Sequence, residues 1–278
     1  MQYVPKLGIS DSDEIAPLLC PINFSTVVPA LDDDIPIWRY MPERRLKALI
    51  DTGQLWVASL TKMKDLEEGR APPGQRRLQE KSYPPDVSKA LSCITDAGRG
   101  WFFVSSWSEG TNESAQHWRE FADEGRGVAI RSSVGRLRKA INNKLLVVAR
   151  IQYHSSDSED YLTDGTGGDL IGNALWKQQE LFGWENEIRL IGYVQPPEPN
   201  FPSAEDNADN PAGFGINTDI RQLALEVRLG QAMPNSDRAA NRAFIQTQLN
   251  GSVPVLDSQM SHCVLDDAIK RSEPKAMK

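Results

Sequence analysis

Cysteine and histidine are scarce, with three of each in 278 residues. Cys20, Cys93 and Cys263 are odd in number and far apart, so they build neither a disulfide framework nor a zinc knuckle, and a reduced cytoplasmic setting is expected. His117, His154 and His262 show no short ligand spacing, which argues against a zinc site. No run approaches the roughly 18 apolar residues of a membrane span, and "MQYVPKLGISDSDE" lacks a basic-then-apolar leader pattern, so no membrane association is expected. Positive charge is not in excess: 31 Lys and Arg against 38 Asp and Glu give a net charge of -7 and a pI near 5.1, which argues against a general nucleic-acid-binding surface and leaves room only for a local basic groove. "TDGTGGD" has glycines but no P-loop lysine and no Rossmann spacing after a strand, and no nucleophile-elbow pattern or internal repeat occurs.

What remains is a chain with 40% apolar content, enough for a full core. Its pattern predicts an N-terminal arm over 1–34, a single α+β domain over 35–262 with a surface excursion at 195–215, and a charged tail over 263–278. "IPIWRYM" reads as a strand containing Arg39, "PERRLKALIDTG" as a helix and "QLWVASL" as a strand. Residues 61–90, with "APPG" and "YPPD", read as a long loop with at most one helix. "WFFVSSWSE" is a strand running into a helix over "ESAQHWREFADEG" whose apolar face is Ala115, Trp118, Phe121 and Ala122. "RGVAIRS", a helix in "SVGRLRKAINNK" capped by Ser132 or Ser133, and a strand in "KLLVVARIQYH" follow. "DLIGNALWKQQELF" reads as one helix delivering the chain to "GWENEIRLIGY", where period two puts Glu185, Glu187 and Arg189 on one strand face. Strands in "LALEVRL" and "VPVLDSQM" flank a helix in "DRAANRAFIQTQLNG". Helices and strands mix without βαβ alternation, so a mostly antiparallel split sheet is expected rather than a doubly wound one.

Three pieces stand in order along the chain: Arg39 in a strand, the serines of "VSSWS" ending a second, and "E-N-E" opening a third. The arrangement resembles the Arg, Ser-x-Ser and Glu-x-Glu signature of the ADP-ribosyltransferase superfamily. The resemblance implies NAD as substrate, with Arg39 on its phosphates, Ser106 and Ser108 (with Trp107 between them) supporting the nicotinamide pocket, Glu187 catalytic and Glu185 orienting the acceptor. Tyr40, Trp101, Trp107 and Trp118 are candidate ring faces for NAD. The middle motif departs from the family pattern: Ser-Trp-Ser stands where Ser-Thr-Ser is usual.

The chemistry suits these residue types. Cleavage of the ribose–nicotinamide bond develops oxocarbenium character that a fixed carboxylate stabilises, and a planar guanidinium meets a diphosphate at two points. The chain also resembles a DUF-type family of bacterial and phage proteins, through "WRYM", "GQLWVASLTKMKDLEEG", "FFVSSWSEGTNESAQHWREFADEGRGVAI" and "WKQQELFGWENEIRLI". This implies an intracellular effector, of toxin or phage-conflict type, modifying a macromolecular acceptor (protein or nucleic acid), with a neutralising partner a candidate. Competing readings are a non-catalytic sensing or binding module on the same fold, and a metal-dependent nuclease built on acids such as Asp32, Asp33 and Asp34. The structural alternatives for single residues are a core ion pair for Arg39, a turn cap for Ser106, and an ion pair between Glu187 and Arg189.

Overall fold

A computed structural model describes residues 19–20, 29–155, 170–194 and 212–260. The elements, in chain order, begin with β1 (Leu19–Cys20), β2 (Pro36–Met41), α1 (Glu43–Thr52), β3 (Gln54–Ser59), α2 (Pro73–Ser82), α3 (Pro85–Gly98) and β4 (Phe102–Glu109). Next come α4 (Ala115–Phe121), β5 (Val128–Ser133), α5 (Val134–Ile141), β6 (Val147–Arg150), β7 (Gln152–His154), α6 (Leu170–Ala174), β8 (Trp176–Gln178) and α7 (Gln179–Phe182). The last are β9 (Glu187–Val194), β10 (Gly213–Asn217), α8 (Ile220–Leu223), β11 (Glu226–Leu229), α9 (Asn235–Gln248) and β12 (Val255–Asp257). The fold is mixed α+β, and among the described residues the strand pairs are mostly antiparallel, with β11–β12 and β7–β8 parallel.

The chain divides into two compact units, each assembled from three separated stretches. The first holds 1–31, 56–106 and 143–216. In it β9 is flanked on one edge by β6 and β1, antiparallel, and on the other by β4, whose Phe103 and Val104 pair with β3. Its core gathers Leu60, Phe102, Val104, Ala149, Ile151, Ala174, Leu175 and Ile191. The second unit holds 32–55, 107–142 and 217–278. There β2 runs antiparallel to β5, with Arg39 opposite Ile130, and β5 pairs with β11. Its core includes an aromatic group of Trp38, Tyr40 and Trp118 with Ala122 and Ala129.

Several elements differ from the sequence expectation for identifiable reasons. The stretch expected to be a long loop carries two helices, α2 and α3. Pro73 and Pro85 stand at their first positions, where a proline costs no hydrogen bond and presets φ, so residues that read as breakers are starters. The single helix expected over "DLIGNALWKQQELF" is broken into α6, β8 and α7, because 176–178 pair with β7. The strand expected in "KLLVVARIQYH" is interrupted at Ile151, whose N–H donates to the Glu187 carbonyl (3.0 Å). On α4, Trp118 and Ala122 are buried as expected, whereas Phe121 is 42% exposed. The Ser133 hydroxyl does cap α5, accepting from the Arg136 N–H. The tail at 263–278 and most of the arm and the excursion lie outside the described residues.

Candidate functional site

The first unit contains a buried group of five charged side chains. Glu68 follows β3 in a turn, Lys177 sits on β8, Glu185 in a one-turn 3-10 segment, and Glu187 and Arg189 on β9. Glu185 does not share the strand face as period two suggested. Asn186 is left-handed (φ 43°), a conformation Asn tolerates better than most residues, so the strand opens only at Glu187. Glu187 and Arg189 do share a face, and that face is buried rather than solvated: Glu187 is 2% exposed and Arg189 0%.

Arg189 holds Glu187 in a two-point contact, Nε to Oε1 at 2.9 Å and Nη2 to Oε2 at 3.1 Å. It also donates to Glu68 Oε1 (2.7 Å) and to the Ala174 carbonyl (2.5 Å). Lys177 Nζ bridges the two strand-entry acids, 2.6 Å from Glu185 Oε2 and 2.7 Å from Glu187 Oε2, with Glu68 at 3.6 Å. The Tyr153 hydroxyl accepts from the Glu187 N–H (2.8 Å). The structural alternative for Glu187, a pair with Arg189, is therefore present, but as a buried network and not as a weak surface contact.

Three carboxylates against two cations leave one negative charge in excess. Burial alone would push the Glu187 carboxyl up, but Arg189 and Lys177 outweigh it and hold the group well below the usual carboxylate range. Glu185 goes the other way: burial raises its carboxyl, and Lys177 offsets this only in part while Glu187 adds to the rise. Burial works against the charged forms of Lys177 and Arg189, yet the carboxylates around them raise both above their usual values. The excess charge thus rests on Glu185.

The remaining sequence candidates are distributed as follows. Ser106 lies in the first unit, is exposed, and makes no hydrogen bond to either glutamate among the described residues; Lys177 and Arg189 hold the acids. Arg39, Tyr40, Trp107, Ser108 and Trp118 belong to the second unit. There the Arg39 guanidinium stands over the Trp107 ring, 5.6 Å from its centroid. Burial, with Arg45 adding to it, brings the Arg39 pKa down to about 10, so it stays cationic at neutral pH. Tyr40 meets Trp118 edge-on at 5.3 Å and His117 at 5.2 Å, and its hydroxyl accepts from the Ser114 N–H. Trp118 Nε1 donates to Glu113 (2.9 Å), and Ser108 Oγ to the Trp38 carbonyl (3.4 Å). The rings of Tyr40 and Trp118 are core-packed.

Sequence reasoning missed Glu68 and Lys177. Glu68 stood in a stretch read as loop, and Lys177 in one read as continuous helix; no local pattern marks either as a partner of residues about ten to 120 positions away. Asp33 pairs with Arg138 (2.5 Å), and among the described residues no group of three or more His, Cys, Asp or Glu could hold a metal ion. No helix among them is long and apolar enough to cross a membrane. The chain matches no protein-family model, no curated protein and no solved structure.

Proposed function

We propose that the chain is an ADP-ribosyltransferase-like enzyme that uses NAD to modify a macromolecular acceptor, with hydrolysis as the side reaction when water takes the acceptor's place. The observation that carries the reading is the pair Glu185 and Glu187 bridged by one Lys177 ammonium in the first unit. Two acids fixed by one cation, with a negative charge in excess, suit the stabilisation of an oxocarbenium-like transition state. Both oxygens of Glu187 are engaged by Arg189 and Lys177, so in this reading Glu187 orients the network and Glu185 stabilises the positive charge that develops on the ribose. This reverses the order of the two acids that the resemblance implies. NAD, the diphosphate role of Arg39 and the toxin or phage-conflict setting rest on the resemblance.

One observation favours a second reading, a binding module without turnover: Glu187 is 2% exposed and ion-paired on both oxygens, as a structural carboxylate is. The two readings part on one measurement. Purified protein is incubated with NAD and released nicotinamide is followed, for wild type and Glu185→Gln, with circular dichroism as the folding control. The enzyme reading expects release by wild type and a loss of about 10²- to 10³-fold in the variant, the usual size for removal of one electrostatic stabiliser. NAD binding without release supports the module, and neither binding nor release overturns both.

A further inference from the structure

Within the second unit, a cleft of about 570 Å³ is lined by Asp33, Ser133, Gly135, Arg136, Lys139, Arg221 and Gln222. We infer that it is a binding site for a small phosphate-bearing ligand, distinct from the acid network of the first unit.

The charge balance is the first support. The protein as a whole carries -7, yet this cleft is lined by Arg136, Lys139 and Arg221 against the single acid Asp33. That acid is already engaged by Arg138, an ion pair that offsets its charge. Among the described residues no carboxylate forms an ion pair with Arg136, Lys139 or Arg221. Asp219, close in sequence, is used as the N-cap of α8, accepting from the backbone N–H groups of Arg221 and Gln222.

The second support is preorganisation. Arg136 Nε donates to the Leu223 carbonyl (3.3 Å), and its Nη2 to those of Arg221 (3.1 Å) and Ala224 (2.8 Å). Three backbone acceptors of α8 and its C-cap therefore fix the guanidinium before any ligand arrives, so binding loses little of that side chain's rotamer freedom. The contacts leave Nη1 with no hydrogen bond among the described residues. The first-turn amides of α5 are already used: the Val134, Gly135 and Arg136 N–H groups donate to the Ile35 carbonyl, the Asp33 carbonyl and the Ser133 hydroxyl.

The third support is size. About 570 Å³ lies within the roughly 300–1,000 Å³ of small-molecule sites. Planar guanidinium groups and an ammonium are the donors that recognise phosphate, with Arg supplying two-point contact and Lys a point charge.

The test titrates inorganic phosphate and pyrophosphate into the full chain by calorimetry, with wild type, Lys139→Glu, Arg221→Glu and, as a control outside the cleft, Lys144→Glu. Expected are saturable binding that weakens as salt is raised, a loss of tenfold or more in each cleft variant, and little change in the control. No binding up to roughly 10 mM overturns the assignment. So does equal loss in Lys144→Glu, which would make the effect one of general charge. Binding of a single-stranded oligonucleotide that pyrophosphate fails to displace also overturns it, in favour of a nucleic-acid surface.

Discussion

Replacing Arg189 by Met tests whether the acid network is a structural unit. The methionine keeps much of the volume and length, so the perturbation is chiefly electrostatic. It removes the two-point contact to Glu187, the bond to Glu68 and the bond to the Ala174 carbonyl, all at a site with no solvent exposure. Glu68, Glu185 and Glu187 then keep Lys177 between them, and the excess charge of the group rises from one to two.

Breaking a buried ion pair by removing one partner costs about 3–5 kcal/mol, because the other partner stays buried without compensation. Water can replace little of the loss at this depth. Against a total stability of about 5–15 kcal/mol this is a large fraction. For a chain of this size it corresponds to a fall in Tm of roughly 6–20 °C. The assay is urea unfolding followed by circular dichroism, with the slope of the transition checked for constancy.

Acidification supplies a second readout. Glu187 has a depressed folded pKa, so its contribution is full above the ordinary carboxylate range, begins to fall within it and is lost as pH drops on through the depressed folded value. Arg189 is the strongest opposite charge holding that pKa down, so the variant's stability should depend less steeply on pH across about 5 to 3. A loss under about 1 kcal/mol, with unchanged slope and unchanged pH dependence, would refute the view of the network as a buried, mutually dependent unit.

Glu185→Gln should behave in the opposite sense: the folded pKa of Glu185 is raised, so the native state disfavours its ionisation more than the unfolded state does, and the variant should be more stable than wild type at pH 8 with the advantage gone by pH 4. Equal stability of the two proteins at every pH would remove Glu185 as the seat of the excess charge. Glu187→Gln, by contrast, should lose about 3–5 kcal/mol, so its activity is interpretable only where folding is shown. Arg39→Ala should weaken NAD binding by roughly 1.5–3 kcal/mol if the guanidinium holds the diphosphate, with lysine rescuing in part; unchanged affinity in a folded variant sinks that role. Gly213→Ala should destabilise by several kcal/mol in a melting experiment, since φ is +157° and a Cβ would fall 2.2 Å from the Val57 carbonyl oxygen; a neutral result would mean that the Gly213 backbone shifts freely.

Local pattern was enough for most of the secondary structure. The alternation and β-branched content of "IPIWRYM", "QLWVAS" and "RGVAIRS", the helix in "PERRLKALIDTG" and the Ser133 cap all depend on neighbours within a turn or a pleat, which the chain carries in its own order. The α+β class followed from the same local signals. Where local rules failed, a competing interaction decided: prolines at first helical positions started α2 and α3, and pairing with β7 drew 176–178 out of a helix.

The site divides along the same line. That Glu187 and Arg189 share a face is a consequence of period two and was readable. Whether that face meets water or core was not, because burial is a property of what packs on it. Nothing in the sequence order says that Lys177 will lie between Glu185 and Glu187, or that Glu68 will reach Arg189 from 121 positions away. Ion pairing acts over a few ångströms of space, not along the chain, so only the tertiary structure could turn two acids at a strand entrance into a buried five-membered network.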